Sequence, residues 1–188
     1  MIITRVKQMK IEKLNLSGTL LITGGVNRDE RGNLFKPFSK NELAKHEIDI
    51  NIKEVLYSTS RMNVIRGMHF QLPPYEQAKL VSVVKGKITD VLLDLRTNSE
   101  SYGRFVSVKL SENDGTSLYI PKGIAHGFVS RVEESTVLYL VDGPYSPENE
   151  AGVRYDSFGF EWEVDRPIMS SRDLAFPELF QFRSQFRV

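Results

Sequence analysis

Between residues 80 and 141 apolar side chains recur at every second position or in short β-branched runs. Leu80-Val81-Ser82-Val83-Val84 and Ile88-Thr89-Asp90-Val91-Leu92-Leu93 flank Lys85-Gly86-Lys87, the pattern of a β-hairpin closed by a tight glycine turn. The same alternation predicts strands over residues 104–110, 117–120, 126–130 and 135–141. Asn113-Asp114-Gly115, Pro121-Lys122-Gly123 and Gly143-Pro144 punctuate them at the short spacing of a sandwich or barrel. Helical periodicity is sparse. Ser39-Lys40-Asn41-Glu42, continued by Leu43 and Ala44, resembles a capping box and predicts a short helix over 39–46, with another turn over 172–180. No repeat, low-complexity tract or linker interrupts the chain. The pattern predicts one mostly-β domain over residues 1–188, decorated by a few short helices.

Composition narrows the function more than the fold. A chain of 188 residues suits one domain better than two. The net charge is +1 and no window is dense enough in Lys and Arg for a nucleic-acid groove. Arg5, Lys7, Lys10 and Lys13, broken by Ile and Leu, read as the solvated side of a strand rather than a basic arm. The absence of cysteine excludes disulfides, thiolate zinc sites and a cysteine nucleophile together. No apolar run approaches the roughly 20 residues that span a bilayer, and charges interrupt any signal-like start. A cytoplasmic protein with neither a nucleic-acid nor a membrane partner is expected.

The three histidines are His46, His69 and His126. A histidine metal site needs three or four ligands, often in pairs such as His-x-His, and none of these is paired. No metal and no cofactor is therefore expected. His46, between Lys45 and Glu47, belongs on an exposed helix face. His126, between Ala125 and Gly127, is either a buried histidine holding a backbone carbonyl or a ligand contact in a barrel mouth. His69 has richer surroundings. In a strand over residues 67–71 it shares a face with Gly67 and Gln71, while Met68 and Phe70 point the other way. With Arg66, Gln77 and Lys79 nearby, that face suits a cavity for an anionic ligand. A histidine base near neutral pH is oriented by a carboxylate, for which Asp90, Asp94, Asp142, Asp156, Asp165 and Asp173 are all available. Tyr139 reads as a core tyrosine whose hydroxyl finds one partner. Tyr145, between Pro144 and Ser146-Pro147, sits in a rigid loop that can hold a hydroxyl over a cavity. Asp29-Glu30-Arg31-Gly32 reads as a charged surface turn.

Taken in order, several segments form a longer pattern. They are Asp29-Glu30-Arg31-Gly32, Arg66-Gly67-Met68-His69-Phe70-Gln71 and Gln77-Ala78-Lys79-Leu80-Val81. Asp94-Leu95-Arg96 follows, with Ser99, Tyr102 and Gly103, and then Ile120-Pro121-Lys122-Gly123-Ile124-Ala125-His126-Gly127-Phe128. Tyr139, Tyr145-Ser146-Pro147 and Pro167-Ile168-Met169-Ser170-Ser171-Arg172-Asp173 complete it. From about Thr19 to Phe186 the chain resembles the dTDP-4-dehydrorhamnose 3,5-epimerases and their relatives acting on nucleotide sugars.

The resemblance implies a cupin-like jelly roll (a double-stranded β-helix) that works without metal. It also implies a homodimer with N-terminal strands paired into the partner's sheet, and a C-terminal segment, about 165–188, packed back on the barrel. The implied substrate is a nucleoside-diphosphate 4-keto-6-deoxy-hexose, most simply dTDP-4-dehydro-6-deoxy-glucose going to dTDP-4-dehydrorhamnose. His69 is then the base, Asp173 its orienting carboxylate, Lys79 the cation at the enolate oxygen and Tyr145 the acid on the opposite face. Arg31, Arg66 and His126 match residues around the sugar and pyrophosphate, and Gln71, Tyr139, Arg172, Lys36 and Glu54 are the further expected substrate contacts. The chain departs from the family pattern at three places. Glu54, Leu56 and Ser58 stand where Gln-x-Asn-x-Ser is usual, Lys36 where a glutamate is common, and Arg172 where a lysine precedes the aspartate. These departures fall on substrate-recognition positions, so retained epimerase chemistry is expected with thymidine as the first nucleotide base to consider, the choice of substrate and inversion at C3, C5 or both being left open. A ketoisomerase on a related substrate and a non-catalytic sugar-nucleotide-binding subunit of a polysaccharide pathway are the alternatives. The joint presence of His69, Lys79, Tyr145 and Asp173 argues against the silent binder.

Overall fold

The computed structural model describes residues 9–24 and 26–188, so Arg5 and Lys7 of the basic start lie outside the described residues. In chain order the elements are β1 (Lys10–Lys13), β2 (Leu20–Thr23), β3 (Val26–Asp29), β4 (Gly32–Phe35), α1 (Lys40–Ala44), β5 (Glu54–Arg61) and β6 (Ile65–Gln71). They continue as β7 (Lys79–Lys85), β8 (Lys87–Asp94), β9 (Phe105–Ser111), β10 (Thr116–Ile120), β11 (Ile124–Ser130) and β12 (Glu134–Val141). A 3₁₀ turn at Pro147–Asn149 leads into β13 (Glu150–Gly152), followed by α2 (Ser171–Leu174) and a 3₁₀ turn at Leu179–Gln181. Two antiparallel sheets face each other, one ordered β1-β2-β10-β7-β12-β5 and the other β13-β6-β11-β8-β9, while β3 and β4 form a separate hairpin. This is a cupin-like jelly roll.

The strands expected at 104–110, 117–120, 126–130 and 135–141 are present as β9 to β12. The hairpin expected at Lys85-Gly86-Lys87 is not. β7 pairs with β10 and β12 in one sheet, and β8 pairs with β11 and β9 in the other. Gly86 is a corner at which the chain changes sheets, with φ +81° and with the Glu134 carbonyl and Ser135 where a Cβ would stand. A strand–glycine–strand pattern is common to both solutions, so alternation alone does not separate a hairpin from a sheet switch. The capping box at Ser39 does not form either. Ser39 occupies the N-cap position without a side-chain hydrogen bond, and α1 is held instead by its buried Leu43. His46 lies past its end, exposed.

Three apolar clusters explain the strand patterns. Val81, Val83, Ile88, Leu92, Leu118, Ile120, Ile124, Phe128 and Val137 fill the space between the sheets. Met68, Phe70, Val91, Leu93, Ala125 and Val129 point out of the second sheet and are covered by Val153, Phe158, Phe160, Trp162, Leu179, Phe182 and Phe186. Buried on both faces, β8 and β11 therefore read as nearly continuous apolar runs. Ile22, Leu80 and Leu140 on the outside of the first sheet pack under Leu43, Ile48 and Ile50. Among the described residues no helix is long and apolar enough to cross a membrane.

Asp94, one of the candidate partners for a histidine, is a structural anchor. Its Oδ1 accepts from the Arg96 backbone N–H and Nε, both at 2.9 Å, and its Oδ2 from Arg96 Nη2, Ser99 Oγ and Ser101 Oγ at 2.6–2.7 Å. Arg96 Nη2 also reaches the Ser17 carbonyl at 2.8 Å, tying the corner after β8 to the segment before β2. Burial alone would raise the Asp94 pKa, but the Arg96 and serine hydrogen bonds outweigh it and hold the carboxylate ionised. Removing one partner of a buried ion pair strands the other charge, at a cost of roughly 3–5 kcal/mol. Asp94→Ala is therefore expected to lower the unfolding free energy in urea by about 3 kcal/mol while leaving any remaining folded protein fully active.

Candidate active site

A cavity of about 530 Å³ opens between the two sheets. Its walls carry Glu54, Leu56 and Ser58 from β5, Arg66, His69 and Gln71 from β6, Lys79 from β7, His126 and Phe128 from β11, and Tyr139 and Val141 from β12. Gln77, Tyr145 and Glu150 close its rim. The polar groups come from the faces that carry the core. His126 alternates with Ile124 and Phe128, and Asp90 with Ile88 and Leu92.

The local course of β6 sets the first half of the site. Opposite β11, His69 pairs with His126 and Arg66 with Phe128, so three steps on β6 match two on β11. That bulge turns Arg66 to the cavity side, where strict alternation would have grouped it with Met68 and Phe70. Gly67 sits at the bulge with φ +126°, packed so closely on Gly127 that a Cβ has no room. Beyond it His69 and Gln71 face the cavity and Met68 joins the outer cluster, as alternation predicts, while Phe70 packs in that cluster and also lines part of the cavity.

His69 Nε2 lies 2.9 Å from Asp173 Oδ1. Asp173 is 2% exposed, and its Oδ2 accepts from the Gly67 N–H at 3.2 Å. Ser170 caps α2 by accepting from the Asp173 N–H at 3.1 Å, which fixes the aspartate under the imidazole. Burial by itself would raise the Asp173 pKa. The hydrogen bond and charge of His69, with help from Gly67 and Ser170, reverse this and bring it to about 2. An ionised Asp173 can only accept, so Nε2 carries the proton and the Nδ1 lone pair is left to take one. The imidazole also stands edge-on to Phe176, 5.8 Å between ring centres.

Of the other five candidate aspartates, Asp165 is exposed and the remaining four have partners elsewhere. Asp90 Oδ2 lies 2.8 Å from His126 Nε2 in a fully buried pair, while Asp90 Oδ1 has no hydrogen-bond partner among the described residues. His126 thus holds a carboxylate rather than a backbone carbonyl, and it lines the cavity as well. Burial raises the Asp90 pKa, and His126 and Lys79 counter that. Burial also pushes the Lys79 ammonium down from 10.5 to about 8, offset in part by Glu150 and Asp90. Asp142 accepts from the Ala78 N–H and Asp156 from Arg154. Tyr139 stands edge-on to His126 with its hydroxyl 3.3 Å from Ser58 Oγ, and burial raises its pKa, which keeps it a neutral O–H.

Tyr145 is 54% exposed, on a loop that several side chains hold from below. Gln77 Nε2 donates to the Gly143 and Pro144 carbonyls at 2.8 Å, and Gln71 donates to Pro144 and accepts from the Ser146 N–H. Glu54 accepts from the Tyr145 N–H at 3.0 Å. Gln71 and Glu54, expected as substrate contacts, thus also anchor this loop. Arg66 is steadied by Ser60 Oγ at 2.9 Å and the Thr59 carbonyl at 3.0 Å. Arg172 pairs with Glu150 at 2.6 Å and lines an adjoining cleft of about 420 Å³ together with Arg66, His69, Ser170 and Ser171.

Besides Arg172, two expected contacts are not brought to this cavity. Arg31, at the tip of the β3–β4 hairpin, pairs with Asp29 and is 86% exposed, and Lys36 follows β4 outside the cavity wall. Glu150 is the main group that sequence reasoning missed. It sits in Pro147-Glu148-Asn149-Glu150, where two glutamates are equally plausible and nothing marks the one that turns inward. Among the described residues no three His, Asp or Glu side chains gather as a ligand set for a metal ion.

The relatives are consistent with this arrangement. A dTDP-4-dehydrorhamnose 3,5-epimerase of Mycolicibacterium smegmatis is 38% identical over 175 residues, covering 91% of this chain and 86% of that one. The crystal structure of the Bacillus anthracis dTDP-4-dehydrorhamnose 3,5-epimerase with TDP and PPi bound superposes with a TM-score of 0.88 at 33% identity, covering 91% of this chain and 99% of that one. A 3'-monoepimerase from Streptomyces bikiniensis in complex with dTDP-quinovose superposes at 0.85 with 27% identity, covering 90% and 87%. Fold, cavity and relatives together define a jelly-roll isomerase of the epimerase type. More narrowly, with the family's sequence profile matching residues 13–181, the chain belongs to the dTDP-4-dehydrorhamnose 3,5-epimerase family.

Proposed function

We propose that this protein inverts C3, C5 or both of a nucleoside-diphosphate 4-keto-6-deoxy-hexose, with a dTDP sugar as the first substrate to try. The observation that carries the roles is the convergence of the His69–Asp173 pair, Lys79 and Tyr145 on one cavity. A hydrogen on the carbon beside a ketone is acidic only if the resulting enolate is held. His69 Nδ1 takes that proton, and Asp173 stabilises the imidazolium that forms. The electron pair moves onto the ketone oxygen, where the Lys79 ammonium meets it in a poorly hydrated cavity. Tyr145 returns a proton to the carbon from the other face, and the centre is inverted. Arg66 in the cavity wall and Arg172 in the adjoining cleft suit the diphosphate, since guanidinium groups match its oxygens in pairs.

Arg31 and Lys36 fit the same scheme if they serve the cavity of a second copy of the chain. β1 is an edge strand of the first sheet, and the β3–β4 hairpin carries Leu34 with 68% exposure, both of which suit a homodimer. The working unit is then a pair of single-domain protomers, active in the cytoplasm.

The test is solvent exchange. Candidate 4-keto sugar nucleotides are incubated with the protein in deuterium oxide, and the C3 and C5 positions are followed by NMR. Deuterium entry with inversion is expected. No entry with any nucleotide would refute the epimerase assignment, and a shifted carbonyl with stereocentres kept would mark a ketoisomerase. Tyr145→Phe is expected to retain exchange while slowing inversion by about 10²-fold or more, the scale of a lost general acid. Inversion at the normal rate in that variant would transfer the acid role elsewhere.

A further inference from the structure

Asp90, on β8, is fully buried and meets the cavity through His126, which lines it. It stands opposite Phe128 of β11 and Val108 of β9, and its neighbours on the inward face of β8 are Ile88 and Leu92. A carboxylate among such apolar groups is costly unless both oxygens find donors. The His126 ring satisfies Oδ2 at 2.8 Å, but no donor reaches Oδ1 among the described residues. An asparagine would hold the His126 N–H as well. What the carboxylate adds is charge.

Lys79 is the complementary case in the facing sheet. It starts β7 between Ile120 of β10 and Val141 of β12, and its side chain lines the cavity. The other ionisable groups of the wall are Glu54 on β5, Arg66 and His69 on β6, His126 on β11 and Tyr139 on β12, with Tyr145 and Glu150 at the rim. Burial lowers the Lys79 pKa to about 8, and Glu150 and then Asp90 act against that fall. The influence is mutual, since Lys79, after His126, counters the rise that burial imposes on Asp90. Glu150 is 20% exposed and already shared by Arg172 and the Tyr145 hydroxyl, at 2.6 Å each. Glu54 accepts from the Tyr145 N–H. Of these three carboxylates, Asp90 alone keeps a buried oxygen without a donor among the described residues. We propose that Asp90 is the positioning residue of Lys79: clamped at Oδ2 by His126, it holds the ammonium, across the space between the sheets, where the ketone oxygen arrives. A carboxylate bonded directly to Lys79 would occupy the ammonium donors. A charge at one remove keeps the group protonated and leaves its N–H bonds for the substrate. The proposal rests on the role of Lys79 at the enolate oxygen.

The decisive experiment follows Lys79 by NMR in protein whose lysines carry ¹³C at Cε, the Lys79 signal being the one lost in Lys79→Met. Without substrate, its midpoint near pH 8 is expected to fall by about one unit in Asp90→Asn, the scale of a lost neighbouring charge. Asparagine keeps the shape and an acceptor for His126. In heavy water, exchange and inversion are then expected to fall together, about fivefold at pH 8 and less than about twofold at pH 6, as that shift in midpoint requires. A merely structural residue would lower the rate equally at both. In the Lys79→Met background, Asp90→Asn is expected to change the remaining rate by less than about twofold, because its effect runs through Lys79. Should Asp90→Asn fold poorly, the reciprocal titration decides in protein that retains Asp90. Its carboxyl ¹³C signal is expected to titrate at higher pH in Lys79→Met than in the wild type. An unchanged Lys79 midpoint in Asp90→Asn would overturn the proposal, as would an unchanged Asp90 midpoint in Lys79→Met, or a rate loss equal at pH 6 and pH 8. If the wild type exchanges no 4-keto sugar nucleotide at all, the epimerase assignment fails, while the two titrations still decide whether Asp90 governs Lys79.

Discussion

Replacing His69 by alanine is expected to suppress deuterium entry beside the ketone by about 10³-fold, with inversion lost in the same proportion. Both follow one step, because nothing can be returned to a carbon that has not been deprotonated. His126 is the only other histidine in the cavity wall, and it is buried against Asp90. It is therefore poorly placed to substitute, and exchange persisting at the wild-type rate would require a different base altogether. The variant should still fold, because Asp173 keeps the Gly67 N–H and the Ser170 cap. Its acid stability should nevertheless change in a defined direction. In the wild type Asp173 sits at about 2, below the ordinary 3.8, so the stability it contributes is fully present above pH 3.8 and is lost as pH falls through 2. His69 is the main cause of that depression. Removing it raises the Asp173 pKa towards its unfolded value, and melting temperatures followed from pH 6 down to pH 2 should fall less steeply below pH 3.8 in His69→Ala than in the wild type. Parallel curves would mean that the pair does not couple as its geometry indicates.

The parts of this site that were legible in the sequence are those governed by short-range rules. Strand alternation separates His69 and Gln71 from Met68 and Phe70, and the structure packs Met68 and Phe70 in the outer cluster, with Phe70 also touching the cavity. The same rule fails for Arg66, because a bulge adds a residue whose only local trace is Gly67. It fails again at Gly86, where two alternating runs belong to different sheets. The choice of Asp173 among six aspartates is a different problem, since it lies 104 residues from His69 and no local pattern joins them. The family resemblance made that choice, and the structure gives it a physical basis in the Ser170 cap and the Gly67 N–H. Glu54 and Gln71 show the converse. They were assigned to substrate by motif, but hydrogen bonds to a loop more than 70 residues away depend on how the sheets close.

Lys79→Met should have the opposite signs in function and stability. An ammonium held at a developing oxyanion contributes on the scale of about 10²–10³ in rate, and methionine, similar in length but neutral, should remove it. The wild-type rate should itself fall as pH rises through about 8, where Lys79 gives up its proton, and that limb should be missing from the residual activity of the variant. For stability the sign is reversed. A lysine at about 8 in the folded chain and 10.5 when unfolded binds fewer protons folded than unfolded between those values, so wild-type stability gains with pH across that window. Below pH 8 the buried charge is a net cost. Lys79→Met should therefore unfold at higher urea than the wild type at pH 7, and the difference should shrink by pH 10. The gain is limited because Asp90 and Glu150 lose a neighbouring cation, although neither accepts a hydrogen bond from Lys79 among the described residues. A variant no more stable than the wild type at pH 7, with the same pH slope, would mean that Lys79 is well solvated and not the preorganised charge the reaction needs. A variant that is stabler but inactive would place Lys79 among residues kept for chemistry at the expense of the fold.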